Sequence, residues 1–199
     1  MKIEWKYPEP KKGLAGSLDK FIGPGATKAE LAIQIIIPIV ALIVSVAYAL
    51  TLPVDWGTAQ YIICALLAAD MAGGILTNAT STAKRWYHRN GQGFLDHYKF
   101  VVTHLCHLVL VSWLFLSFDI PWILYSGGFL LIASACILLS PIYLQRPISL
   151  AFYGLALIMS LYLLPSPVGL EWFLPLFYLK LLVSHLPYEE PYRPSEESC

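Results

Sequence analysis

Apolar residues in this chain come in long blocks that do not alternate with polar ones. The first block, "LAIQIIIPIVALIVSVAYALTL", fills residues 31–52 without a single charge. A helix needs about 20 such residues to cross the hydrocarbon of a bilayer. Comparable blocks follow at 57–78, 98–118, 121–143, 147–165 and 170–187. They predict an all-α, polytopic membrane protein: a bundle of six transmembrane helices over residues 27–187. Local signals agree. Thr27 and Glu30 have the spacing of a capping box ahead of the first helix. Pro121 and Pro147 suit first turns, Pro38 should kink the first helix, and Pro175 interrupts the sixth block.

The flanks read differently. Residues 1–26 are polar and rich in Pro and Gly, a cytoplasmic or interfacial segment, with Phe21 and Ile22 beside Lys20 and Lys28 suited to a membrane surface. The first apolar run begins only at Leu31 and is too long for a signal peptide, so an uncleaved anchor is expected. Residues 188–199, "YEEPYRPSEESC", are expected to be a disordered cytoplasmic tail.

Charge changes the picture by giving direction. Only 13% of the 199 residues are charged, against 57% hydrophobic; soluble domains run near 25% charged. The formal net charge is zero, so nothing favours nucleic acid. There is no GxGxxG or phosphate loop. Six lysines precede the first block: Lys2, Lys6, Lys11, Lys12, Lys20 and Lys28. Lys84, Arg85, Arg89 and Lys99 flank the second loop, Arg146 the fourth, and Arg193 the tail. The alternate loops carry only Asp55, Asp119 and Glu171. By the positive-inside rule both termini face the cytoplasm, in the cytoplasmic membrane. Cys64, Cys106 and Cys136 lie inside apolar blocks as small hydrophobic residues do. Cys199 is expected to be a free thiol.

Candidate chemistry sits where charge is costly. Asp70 falls roughly 12–15 Å from the inner edge of the second helix, near the bilayer centre. "DHYKFVVTHLCH" puts His97, His104 and His107 on one face of the third helix. His104 lies roughly 9 Å deep and His107 roughly 13 Å, the latter level with Asp70. A short loop should make helices two and three antiparallel neighbours. Asp70, Gly74, Asn78 and Thr82, with Ala65, Ala69, Gly73 and Thr77 beside them, form a small or polar stripe that permits close approach. The expectation is a polar centre of Asp70, His104 and His107 between those helices, approached from the cytoplasm past Asn78, Arg85, His88 and His97. Lys180 is expected to snorkel to the interface, with pairing to Asp70 as the alternative. Lys84, Arg85, His88, Arg89 and Lys99 make a basic collar for anionic lipid headgroups or, alternatively, a phosphate-binding mouth beneath Asp70.

Three readings of the centre stay open. The first is structural: polar groups bonding across helices in an accessory protein. The second is a metal-dependent, hydrolase-like membrane enzyme in which Asp70, His104 and His107 hold zinc or iron. The third is a proton-linked path for a small solute, since carboxyl and imidazole groups relay protons. Five histidines are too few for a histidine-box desaturase, and no internal repeat marks an inverted-repeat transporter.

Overall fold

The computed structural model describes residues 2–164 and 166–194. It is all-α apart from one two-stranded ribbon. A short helix α1 (Gly13–Ile22) precedes α2 (Lys28–Leu50) and α3 (Thr58–Ala79); α4 (Ser81–Tyr87) leads to α5 (Phe94–Thr103) and α6 (Leu105–Phe115). Then come α7 (Ile120–Leu139), α8 (Ile142–Tyr162) and α9 (Phe173–Tyr178). Five helices are long and apolar enough to cross a membrane: α2, α3, α5 with α6 as one rod, α7 and α8.

The expected capping box is present. Thr27 N–H donates to Glu30 Oε2 at 2.8 Å, and Glu30 N–H donates to Thr27 Oγ1 at 3.1 Å. Pro38 lies inside α2 without ending it. Its ring is accommodated by Gly73 of α3, where an added Cβ would lie 3.0 Å from Pro38 Cγ. Ser140 and Pro141 break the chain before α8, so Pro147 falls inside that helix and not at its start. The third span is jointed at His104. His104 N–H reaches back to Val101 O and His107 N–H to His104 O, each at 3.0 Å, which tightens one turn.

The sixth block departs furthest from expectation. Expected as a span over 170–187, it forms α9 (6 residues) running into a π-helical segment, Leu179–His185 (7 residues). Even at 1.5 Å per residue this reaches only about 20 Å, short of a bilayer core of about 30 Å. Pro175 is tolerated because it sits in the first turn of α9. The approach to α9 bonds to itself: Gly169 N–H donates to Glu171 Oε1 (3.0 Å), and Trp172 Nε1–H donates to Gly169 O (3.1 Å). Gly169 has φ +90, which a side chain would strain.

This short segment is the middle of the bundle. Phe173, Phe177, Tyr178, Leu181 and Leu182 are all buried, while Ile35, Ile36, Ile39 and Ile43 of α2 are exposed outward, as lipid-facing residues are. α3 packs along α2 and against α9 and the π segment; α5 and α6 pack on α7. Among the described residues there is no extended packing of α3 on α5 or α6. The expectation that helices two and three enclose the small-residue stripe is therefore corrected. The stripe admits Pro38 on one side and the Lys180 stem on the other. At its N-terminal end α3 still touches the third span, where Gln60 Nε2–H donates to Leu114 O at 3.0 Å.

The two ends of the chain meet. β1 (Lys2–Ile3) pairs antiparallel with β2 (Tyr192–Arg193), and Trp5 stacks on Tyr188 with centroids 4.9 Å apart. Residues 188–194 are thus ordered against the N-terminus, contrary to the disordered tail expected there. Residues 195–199, with Cys199, lie outside the described residues. The basic collar is also partly internal. Arg85 donates to Lys6 O and Pro24 O, both at 2.7 Å, and Lys84 donates to Pro187 O at 2.8 Å. Both residues are buried, because the terminal segments fold over α4. Arg193 adds bonds to Thr82 Oγ1 (3.1 Å) and Gly25 O (3.1 Å).

Arg85→Ala leaves two carbonyls without their charged donor, each such bond being worth about 1.5–3 kcal/mol. The expected result is a lower melting temperature in detergent and faster limited proteolysis within residues 1–26.

Candidate functional site

The site begins with α3. Its 22 residues carry one acid, Asp70, and i+4 further on Gly74 leaves the surface bare. Across that bare patch runs the Lys180 side chain; a Cβ on Gly74 would collide with Lys180 Cε and Cδ. Lys180 Nζ donates to Asp70 Oδ2 at 2.7 Å. His107 of α6 donates from Nε2 to the same oxygen at 3.1 Å. Lys180 is 4% exposed and Asp70 40%. Among the described residues Asp70 Oδ1 takes no hydrogen bond.

The expectation that Lys180 snorkels is therefore corrected. In the π segment its stem is directed inward, toward α3, and the ion pair is formed. Breaking a pair that is mostly out of water leaves an uncompensated charge, which is why it persists.

His104 stacks on His107, with ring centroids 5.2 Å apart and planes 11° apart. Its Nδ1–H donates to Phe100 O at 2.7 Å. The predicted trio of Asp70, His104 and His107 is thus adjacent, but it does not converge on a point. Among the described residues no three His, Cys, Asp or Glu side chains are grouped to hold a metal ion.

A second polar cluster lies toward the chain ends. His185 Nδ1 is 3.2 Å from Asn78 Oδ1, and His185 Nε2 is 3.2 Å from His97 Nδ1. His88 stacks on His97 at 4.4 Å and donates from Nε2 to His185 O at 3.0 Å. Phe100 separates the two clusters, stacked on His185 at 4.0 Å and lying 4.4 Å from His104. All five histidines of the sequence thus form one column ending at Asp70. Asn78, His97 and His88 line the expected approach; Arg85 does not, being turned to the terminal segment. Sequence reasoning missed His185. The five-residue spacing of Lys180 and His185, which a π-helix brings to one side, was its only signal.

Between the clusters lies a cavity of about 160 Å³. Asp70, Lys180, Thr77, Asn78 and His104 supply its polar wall; Phe100, Tyr87 and Phe21 supply the aromatic one, with Gly74 at its base. Tyr87 fastens the roof by donating to Phe21 O at 2.8 Å. Burial raises the Tyr87 hydroxyl pKa, which keeps it a donor.

Lys84 and His88, outside the spans, are strongly shifted. Burial lowers the Lys84 ammonium to about 8, partly offset by Glu189 at 3.6 Å. Burial, with His97 and Lys84 nearby, lowers His88 from 6.5 to about 3.

No family model matches the chain, and no curated protein or solved structure is significantly similar to it. The fold and the site define a multi-pass helical membrane protein with an ion pair inside the bundle.

Two outcomes follow from this geometry. Gly74→Ala displaces the Lys180 stem, so melting in detergent should fall by the equivalent of roughly 1–3 kcal/mol, discounted because Asp70 is partly exposed. His88 binds a proton more weakly folded than unfolded. The unfolded chain therefore gains protons first, and stability falls as pH drops from about 6.5 toward 3. His88→Gln, which keeps a donor for His185 O, should flatten that part of a melting-temperature against pH curve.

Proposed function

We propose that this is a protein of the cytoplasmic membrane with both termini inside, in which Asp70 exchanges a proton with the cytoplasmic side to drive movement of a small solute. The topology rests on two supports. The paired ends favour an even number of crossings, which supports reading the short last segment as a sixth pass. The ends also carry the lysine-rich segment, as the positive-inside rule requires.

One observation carries the proton reading. A carboxylate at mid-span holds an ammonium and an imidazole on one oxygen, with the other oxygen unbonded beside a small, mostly apolar cavity that Lys180, Thr77, Asn78 and His104 also reach. His107 donates to Asp70 and is positioned to pass a proton to it. A cavity of this size has room for water beside Asp70, Lys180, Thr77 and Asn78, each molecule needing about 10–15 Å³, and such water would carry protons between Asp70 and Asn78. The imidazole column continues from there toward the chain ends.

A second reading has its own support. The same bonds tie α3, α6 and the π segment together, which is what an accessory protein needs of them. The zinc or iron enzyme draws less support, because His104 faces His107 ring to ring and both ring nitrogens of His107 are engaged, Nε2 on Asp70 and Nδ1 on His104 O.

Difference infrared spectroscopy on reconstituted protein tests the choice. On stepping the pH over the range where the protein stays folded, a carboxyl band should appear and vanish, and be absent in Asp70→Asn. Vesicles containing a pH dye should lose their proton response in the same variant. No titrating band, with Asp70→Asn only lowering the melting temperature, would hand the protein to the structural reading.

A further inference from the structure

We propose that the cavity beside Lys180 binds a small monocarboxylate, taken up together with one proton on Asp70. This rests on the proton-exchange reading and names its solute.

The argument starts from Lys180. Its side chain is 4% exposed, and among the described residues its one acidic partner is Asp70. An ammonium so removed from water needs an anion. A proton on Asp70 takes that anion away, and Lys180 then requires another. An ammonium has three N–H donors, and the one bond given to Asp70 leaves capacity for a second carboxylate. Net charge selects the valence. One carboxylate and one proton leave the centre's charge unchanged, whereas a phosphate dianion would leave an excess negative charge in the bundle.

Size and lining narrow the class. At about 160 Å³ the cavity is below the roughly 300–1,000 Å³ of pockets for drug-sized ligands, which excludes nucleotides and sugar phosphates. Thr77 and Asn78 offer hydrogen bonds on one side, and Phe100 and Tyr87 offer a ring surface on the other. A short apolar or hydroxylated tail fits both.

The ionisable groups facing Asp70 come from few elements. The α5–α6 joint brings His104 and His107, with Cys106 beside them. The π segment brings Lys180, and α4 brings Tyr87 across the cavity. α2 meets the neighbouring face of α3 with Pro38 and Gln34 and brings no ionisable group to Asp70; its acid, Glu30, is engaged with Thr82 and Arg193 instead. α9 brings Phe177, next to His107.

The step balances simply. A carboxylate RCOO⁻ and one H⁺ enter; Asp70 COO⁻ becomes COOH and releases Lys180, which stays an ammonium and binds RCOO⁻. No bond in the ligand breaks. Release runs the same events backward.

Calorimetry on the detergent-purified full chain, in two buffers of different ionisation enthalpy, counts the protons. Acetate, lactate and benzoate are the probes, with inorganic phosphate as the comparison. The expected result is binding of at least one monocarboxylate with uptake of about one proton, and affinity falling about tenfold per pH unit where uptake is seen. Asp70→Asn should bind the same probe without proton uptake or pH slope, and Lys180→Met should not bind it. The wild-type measurement needs no variant to fold. If it shows no monocarboxylate binding between about pH 5 and 8, binding without proton uptake, or tighter binding of phosphate, the proposal is overturned. An Asp70 carboxyl band that still titrates in infrared spectra would then show that proton exchange stands without this solute.

Discussion

A charge inside a bilayer must be answered by another, and in this protein the answer is the contact between Lys180 and Asp70. The lysine comes from the most buried element and the acid from a helix with one face toward lipid. To bring them to 2.7 Å, the last segment has to lie against α3 at the level of Gly74. That requirement accounts for the bare glycine surface. It also accounts for α3 turning toward the last segment in preference to the third span, which its connection would otherwise bring alongside.

The remaining polar groups arrange themselves around this contact. His107 adds a second donor to the same carboxylate oxygen and draws the jointed third span inward at its middle. Gln60 holds the same span at its C-terminal end, and the His97–His185–Asn78 group holds it at its N-terminal end. Three points of attachment with little packing between them leave the cavity under Phe21 and Tyr87. The opening is the space that remains when helices are joined by hydrogen bonds at intervals and not by a continuous apolar seam.

Much of this was legible in the sequence, for reasons that differ by element. The first five spans announce themselves because apolar runs of that length with at most one charge have no other stable home. Asp70 and His107 could be placed level by counting 1.5 Å steps inward from opposite starts, and they do meet. The sixth segment could not be read so directly. Its apolar length matched a span, but periodicity does not report that a rod will overwind into five-residue turns or end short inside a bundle. Lys180 was misjudged for the same reason. A lysine near the inner end of an ordinary helix can reach water, whereas the π segment turns it toward α3. The collar failed differently: Lys84 and Arg85 look like surface charges until the two chain ends fold over them, and no local pattern encodes the meeting of residues so far apart.

The shortness of the sixth segment bears on electrical behaviour. On the proposed topology, a segment shorter than the bilayer core would let outside water reach inward above α9, so the voltage across the membrane would drop over fewer ångströms. Moving one elementary charge through the full drop is worth about 2.3 kcal/mol per 100 mV. A charge arriving at Asp70 from the cytoplasmic side would traverse a substantial part of it. Resting polarisation would then tilt the occupancy of that carboxyl directly, with no separate sensor in the molecule.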